Sequence, residues 1–334
     1  MRSPEPKTAL PTLETASLAA RQFGAAVGET TSGDLHLVNA GVNTVYRAGD
    51  MALRMVREEQ KDRNYLTPPL EWLRHLHAAG APVCEPLPTL DGEWIGAFRQ
   101  DSDTFLATAV RWVDGLRLSE LPATPTLYRE YGRSIGRLHR ASRGYVPSPT
   151  APHMLGLEEG GVFARWESLW QRAAEHVSGA PVLQRAFERL TPDVLAWGAE
   201  ERVTTHGDLR PGNVIWQGSV TASSVVGSSA VVIDFDEPVL GPAALDLARA
   251  ALELNAEERP TLLAALLEGY RLEHGLGAVW DARIPTLMAA RAALMCAWNM
   301  EDGPPASDTG GGATGSGEVV SLPTLLSRLE RWDF

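Results

Sequence analysis

Two hydrophobic rhythms alternate along this chain. From Asp34 to Val56 the apolar positions follow a two-residue period or run together. "DLHLV", "NTVYRA" and "MALRMV" read as strands, and "NAG" and "GD" separate them as turns. That predicts a three-strand meander. Before it, "LETASLAARQFG" has helical spacing, with Glu14 near its start and Gly24 as its C-cap. After it, "TPPLEWLRHLHAAG" has prolines at one end and Gly80 at the other, the asymmetry expected of a helix. "EWIGAF" and "FLATAVRWV" predict two more strands, five in all.

Beyond "RWVDG" the rhythm changes. In "LYREYGRSIGRLHRAS" Tyr128, Tyr131, Ile135 and Leu138 recur at helical spacing. "GVFARWESLWQRAAEHV", "VLQRAFERLTPDVLAWGAEE", "LDLARAALEL", "PTLLAALLEGYRLEHG" and "RIPTLMAARAALMCAWNM" are helical too. One β-containing island, residues 203–236, interrupts them, with "QGSVTASSVVGSSA" as a hairpin loop. The pattern gives an α+β chain in two lobes. Residues 1–15 form a loose start, 16–113 a small antiparallel-sheet N-lobe, and 114–334 a mainly helical C-lobe. The C-lobe includes a Gly/Ser-rich linker at 302–318, whose glycines lack the Gly-Lys-Ser/Thr of a phosphate loop.

Composition narrows the classes. The 334 residues, 44% hydrophobic, suffice for two cores. A net charge of −12 argues against a nucleic-acid or anionic-membrane surface and mildly favours a neutral or cationic substrate. Cys84 and Cys296 make no disulfide framework and read as buried thiols. No signal peptide and no apolar run of spanning length is expected, so the predicted location is cytoplasmic.

The island carries the candidate chemistry. "VTTHGDLRPGNVIW" begins as a strand, breaks at His206-Gly207-Asp208 and resumes at Asn213. "AVVIDFDEP" is an apolar strand that ends in acid. A carboxylate there is unfavourable unless it is paired or binds a metal. If the strands pair as a hairpin, Asp208, Asn213 and Asp234 converge.

The step of five from Asp208 to Asn213 equals that between the aspartate and asparagine of the protein-kinase catalytic loop. "HGDLRPGN", "VIDFD" and "GPAALDLA" together resemble the aminoglycoside phosphotransferase/choline kinase family, relatives of the protein kinases. The layout is nearest to the stress-response-kinase and type II homoserine-kinase branches. The resemblance implies a bilobal protein-kinase-like fold with ATP and Mg²⁺ between the lobes. It makes Asp208 the catalytic base and Asn213 and Asp234 the Mg²⁺ ligands, with Asp236 as a second acid. Asp246 is implied to anchor the loop. Arg210 is either a solvated loop charge or reaches the transferred phosphate. In the N-lobe, "LVNAGVNTVYRAGDMALRMV" resembles the family's short glycine-containing loop and following strand. Gly41 and Asn43 then cover the phosphates, and Arg54 stands where lysine is commonest. Glu71 matches its helix partner. Val110, Arg111, Trp112 and Val113 match the segment that reads adenine through its backbone.

Other groups have plainer readings. His206 orders the loop by hydrogen bonding. His75 and His77, two apart on a helix, do not share a ligand. His139 reads as a cation at a helix end. Trp166 and Trp170 read as core, or as a substrate-pocket wall. The expected function is ATP·Mg²⁺-dependent phosphate transfer to a hydroxyl of a small molecule such as an aminoglycoside, amino alcohol or homoserine. The alternatives are a Ser/Thr protein kinase of the stress-response type and a nucleotide-binding regulatory pseudokinase. The absence of Asp-Phe-Gly and Ala-Pro-Glu disfavours the protein kinase.

Overall fold

In a computed structural model the described residues are 10–26, 35–40, 43–148, 180–220, 225–254 and 258–301. They divide into two compact units. The first holds residues up to His77 and Cys84–Asp114; the second holds Ala78–Val83 and continues from Gly115.

The first unit opens with α1 (Leu13–Gln22), capped by the Thr12 side chain on the Thr15 amide. Gly24 closes it as expected: its amide bonds Arg21 O, and the Ala25 amide bonds Ala20 O, a Schellman arrangement. The segment just before α1 is better tied than its composition suggests. Tyr46 donates its hydroxyl to Pro11 O, and Gln100 its amide to Leu10 O.

The predicted meander is present as β1 (Leu35–Asn39), β2 (Thr44–Ala48) and β3 (Met51–Arg57). β3 pairs antiparallel with β6 (Asp103–Arg111), which also pairs with β4 (Pro86–Leu87) and β5 (Gly96–Gln100). The sheet therefore has six strands, not five; the two-residue β4 is too short to carry a pattern of its own. Period-2 alternation places Met51, Leu53 and Met55 on the face that packs with Ala16, Ala19, Ala20 and Phe23 of α1. Arg54 is thereby turned to the opposite face.

α2 (Arg63–Ala78) starts five residues before the first of the prolines that marked its predicted entrance. Asp62 is the reason: its Oδ1 accepts the Tyr65 amide and its carbonyl the Leu66 amide. Pro68 and Pro69 then lie inside the helix, where the Thr67 hydroxyl bonds back to Arg63 O.

In the second unit, α3 (Pro125–Ser142), α4 (Ala180–Glu200), α5 (Ala244–Ala251), α6 (Arg259–Glu273) and α7 (Val279–Glu301) match five predicted helices. The sixth, with Trp166 and Trp170, lies outside the described residues, as do the linker at 302–318 and residues 1–9. α3 and α6 cross in close contact. A Cβ on Gly132 would sit 1.9 Å from Leu266 O, and one on Gly269 1.8 Å from Arg129 O. Tyr128, Tyr131, Ile135 and Leu138 are all buried, as their spacing predicts.

The island forms β8 (Val203–Thr205), β9 (Val214–Val220), β10 (Val225–Val232) and β11 (Val239–Gly241). β9 pairs with β10 and with the short β7 (Leu116–Arg117); β8 pairs with β11. The strands run through most of the stretch expected to be loop, leaving only 221–224 outside the described residues. Among the described residues no helix is long and apolar enough to cross a membrane. Cys84 and Cys296 are buried and are not in disulfides.

Candidate active site

Between β8 and β9 the chain makes the loop 206–213, and almost every polar group in it is tied to a buried partner. Asp246, near the start of α5, is fully buried. Its Oδ2 accepts the His206 amide at 2.8 Å and its Oδ1 the Gly207 amide at 2.9 Å. Burial alone would raise this carboxyl. Hydrogen bonds from His139 and the His206 amide, with the electrostatics of the two neighbouring imidazoles, outweigh that and hold it below the usual range.

His139 does not act as an exposed helix-end cation. It is fully buried, with Nε2 2.9 Å from Asp246 Oδ2 and Nδ1 3.0 Å from the Tyr270 hydroxyl. Tyr270 in turn meets His274 Nδ1 at 3.0 Å. One set of proton positions satisfies the run. His274 donates to Tyr270, Tyr270 to His139, and His139 to the carboxylate.

Gly207 has φ +80°, and a Cβ there would lie 1.9 Å from Glu237 O. Only glycine fits the turn. His206 is scaffold, as expected. Its Nε2 donates to Ile233 O at 3.0 Å, and its Nδ1 accepts the Asp208 amide at 3.3 Å. Tyr131 donates to Leu209 O at 2.9 Å, and Arg117 to Gly212 O.

Asp208 projects from this frame. Its Oδ1 accepts Arg249 Nε at 2.6 Å and Arg291 at 3.1 Å. Its Oδ2 accepts Asn213 Nδ2 at 3.2 Å, and the same Nδ2 bonds Asp208 O at 2.9 Å. Arg210 Nε is 3.6 Å from Oδ2, a charge contact rather than a hydrogen bond. Burial would raise this carboxyl, but Arg249, Arg291 and Arg210 together bring it down to about 2. It is an anion at any neutral pH.

Asn213 is 1% exposed. Its Nδ2 is turned on Asp208, so Oδ1 is the atom that suits a hard cation. β10 delivers the acids. Ile233 gives its amide to Asn213 O at 3.0 Å and its carbonyl to His206. Asp234 follows at once, exposed, with φ +70°, a left-handed conformation that Asp tolerates better than most residues. Asp236 is half-buried two residues on. The structure thus ties Asp208, Asn213 and the backbone of Ile233, the residue before Asp234, into one hydrogen-bonded unit. No group of three or more His, Cys, Asp or Glu side chains is arranged to hold a metal ion among the described residues. An amide oxygen with one or two carboxylates is nevertheless a donor set that fits Mg²⁺, which keeps several waters.

In the first unit, Gly41 lies outside the described residues. Arg54, on β3, donates to Asn43 Oδ1 at 3.0 Å, so those two do come together. Glu71 does not join them. It is exposed, on the same stripe of α2 as Arg74, and makes no ion pair with Arg54 among the described residues. Val110 and Arg111 belong to the β6 ladder, and the Trp112 amide bonds Asp50 O at 2.7 Å. Val113 is the first residue of that segment past the ladder and its flanking bond. Arg47 stacks on the Trp112 ring at 4.5 Å, and both reach Asp114 Oδ1.

Sequence reading missed Arg249 and Arg291. Each is a lone arginine in an Ala- and Leu-rich stretch, "LDLARAALEL" and "MAARAALMCAW". A guanidinium buried at such a position requires a carboxylate partner, and that was the available signal.

A six-stranded antiparallel sheet with one flanking helix pair, a helical unit and an Asp-x₄-Asn loop before an acid-ended strand define the protein-kinase-like fold. The chain belongs to the phosphotransferase enzyme family (APH), whose family model matches residues 37–283. It is 26% identical over 172 residues to an amicoumacin kinase of Bacillus subtilis (strain 168). That alignment covers 51% of this chain and 50% of the relative, so it spans about half the relative's length. Two solved structures share the fold. An amicoumacin kinase in complex with AMP-PNP and Ca²⁺ has a TM-score of 0.69 at 20% identity, over 90% of this chain and 89% of that one. A microcompartment-associated aminopropanol kinase has a TM-score of 0.62 at 21% identity, over 95% and 96%.

Proposed function

We propose that this chain is an ATP- and Mg²⁺-dependent phosphotransferase that moves the γ-phosphoryl group to a hydroxyl of a small molecule. The observation that carries this reading is Asp208. It is a carboxylate kept ionised and aimed by a buried frame, one loop turn from an amide and one strand end from two acids. Phosphoryl transfer asks for that kind of positioning more than for covalent help. Membership of the family and the nucleotide and Ca²⁺ in the similar amicoumacin kinase support it.

Each residue then has a task. The acceptor hydroxyl gives its proton to Asp208 as its oxygen bonds the γ-phosphorus. The bond to the bridging oxygen breaks, and ADP leaves with that electron pair. Asn213 and Asp234 would hold Mg²⁺, which would neutralise charge on the phosphate oxygens, with Asp236 as the second acid. Arg210, whose Nε lies 3.6 Å from Asp208 Oδ2, is assigned to the transferred phosphoryl group. In the first unit, Gly41, Asn43 and Arg54 serve the nucleotide phosphates, and Val110–Val113 the adenine. Acceptors of the amino-alcohol, aminoglycoside or amicoumacin kind fit the similar kinases and the acidic chain.

One observation favours a second reading, a nucleotide-binding regulatory chain without turnover: Arg54 stands where lysine is commonest. ADP release over a panel of amino alcohols, homoserine, aminoglycosides and amicoumacin, beside a thermal-shift titration with ATP·Mg²⁺, separates the two. The phosphotransferase reading expects turnover with at least one acceptor. Asp208→Asn should lower kcat about 10³-fold with the ATP·Mg²⁺ shift retained. Stabilisation by ATP·Mg²⁺ without ADP release under any condition supports the regulatory reading instead.

A further inference from the structure

We infer that Arg249 and Arg291 are positioning residues of the catalytic loop: they occupy Oδ1 of Asp208 and so assign Oδ2 to the acceptor hydroxyl. This rests on the phosphotransfer reading and deepens it.

A carboxylate oxygen takes about two donors in its plane. Oδ1 already has two, Arg249 Nε at 2.6 Å and Arg291 at 3.1 Å. Oδ2 has one hydrogen bond among the described residues, from Asn213 at 3.2 Å. Arg210, at 3.6 Å, is beyond hydrogen-bond reach. One lone pair of Oδ2 is therefore left for a hydroxyl, and the choice between the oxygens is made by the two arginines.

Both arginines act through Asp208 rather than on a ligand. The Arg249 side chain is 3% exposed and that of Arg291 15%. Arg249 is braced on its other side by Glu253, four residues on, at 3.0 Å. Its place on α5 is also telling. Asp246 and Arg249 are three apart, on one helix face. The first grips the loop backbone through the His206 and Gly207 amides; the second grips the loop side chain. One helical turn thus sets both the path of the loop and the orientation of its acid. Arg291, from the middle of α7, adds a second donor from another element.

A stability role explains this poorly. A buried ion pair adds little over apolar side chains of equal volume. Two buried cations on one carboxylate are stranger still, unless its orientation matters.

The test is a double-mutant cycle on the full chain. Arg249→Met, Arg249→Lys and Arg291→Lys are made alone and with Asp208→Asn. ADP release is measured with the best acceptor of the panel, with the ATP·Mg²⁺ thermal shift as a check on folding and nucleotide binding. Arg249→Met should lower kcat on the order of 100-fold while KM for ATP and the thermal shift hold. Arg249→Lys should recover part of the loss, since lysine supplies charge without the fork. In the Asp208→Asn background, Arg249→Met should change kcat by less than about threefold, because there is no longer a carboxylate to orient. The Lys variants keep the test open if Arg249→Met does not fold. A kcat unchanged in Arg249→Met, or a loss of the same size with and without Asp208, overturns the inference and leaves the phosphotransferase reading standing. An inactive wild-type chain that still binds ATP·Mg²⁺ overturns that reading and the inference with it.

Discussion

Two segments of this protein, each expected to touch a substrate, are held in opposite ways. The loop 206–213 is held by groups withdrawn from water: His206, Asp246 and His139 are all fully buried. The segment Val110–Asp114 is held by groups that face water. Arg111 pairs with Glu85 and Asp50, and Arg47 with Asp114, which is 79% exposed. Buried hydrogen bonds to charge are strong, and expensive to leave unmade. Exposed ion pairs contribute about 0–1 kcal/mol each. The first segment therefore has one arrangement available. The second takes its backbone from the β6 ladder, and its side-chain ties are adjustable. A carboxylate that must meet a hydroxyl in line needs the former. Backbone groups that read a flat ring edge tolerate the latter.

The largest break in that contrast should come from Asp246→Ala. It removes the acceptor of two loop amides and of His139 at once. Breaking a buried charge pair costs about 3–5 kcal/mol. Chemical denaturation should show a loss of that size, and turnover should fall with it.

Acid should expose the same buried network next. His274 is 8% exposed, accepts Arg143 Nε on its Nε2 at 3.3 Å, and donates from Nδ1. Burial lowers its pKa from 6.5 to about 4, with His139 and Arg143 adding to the shift. Between those values the unfolded chain binds the proton and the folded one does not. Its contribution is thus complete above about pH 6.5 and is lost as pH falls towards 4, up to about 3 kcal/mol. Stability measured against pH should show this descent, and His274→Gln should flatten it. A wild-type curve level across that window would contradict the buried neutral histidine.

Gly207→Ala comes third. It forces a Cβ into a left-handed backbone and against Glu237 O. Such strain costs about 2 kcal/mol, and a calorimetric melt should report it together with reduced turnover.

The same contrast explains what could be read from the sequence. Asp208, Asn213 and Asp234 were legible because their meaning is local: a fixed step, a strand end, a glycine turn. The meander and five helices were legible because apolar periodicity is local too. Asp246 came only with the family resemblance. What held these residues was not legible. Tyr270 sits on a helix face where an aromatic counts simply as core, and His139 near a helix end where an imidazole reads as a favourable cation. Arg249 and Arg291 lie about 40 and 80 residues beyond the acid they grip, on helices whose pattern asks only for burial. The start of α2 was misplaced because two prolines outweighed Asp62, which makes the actual cap. The expected Arg54–Glu71 pair failed for a related reason. A motif places Glu71 on the right helix, but only packing decides which stripe meets the sheet, and the buried stripe is that of Leu66, Leu70, Leu73 and Trp72.

The smallest effect should come from the exposed side. Arg47→Ala removes the stacking on Trp112 and the ion pair to Asp114, whose partners are all at least partly solvated. Screening and side-chain entropy limit such a pair, and an exposed cation–π contact contributes about 0.5–1 kcal/mol. The expected loss of stability is therefore under about 1 kcal/mol, and kcat should hold. KM for ATP should rise modestly, because Trp112 and Val113 lose a side-chain brace while the Trp112 amide keeps its bond to Asp50 O. Nucleotide titrations at low and high salt sharpen the point. If the ties of this segment are as adjustable as their exposure implies, salt should weaken ATP binding to the wild type more than to Arg47→Ala. A kcat that falls as steeply as in Arg249→Met would show instead that this segment is as tightly specified as the loop, and the contrast between the two would collapse.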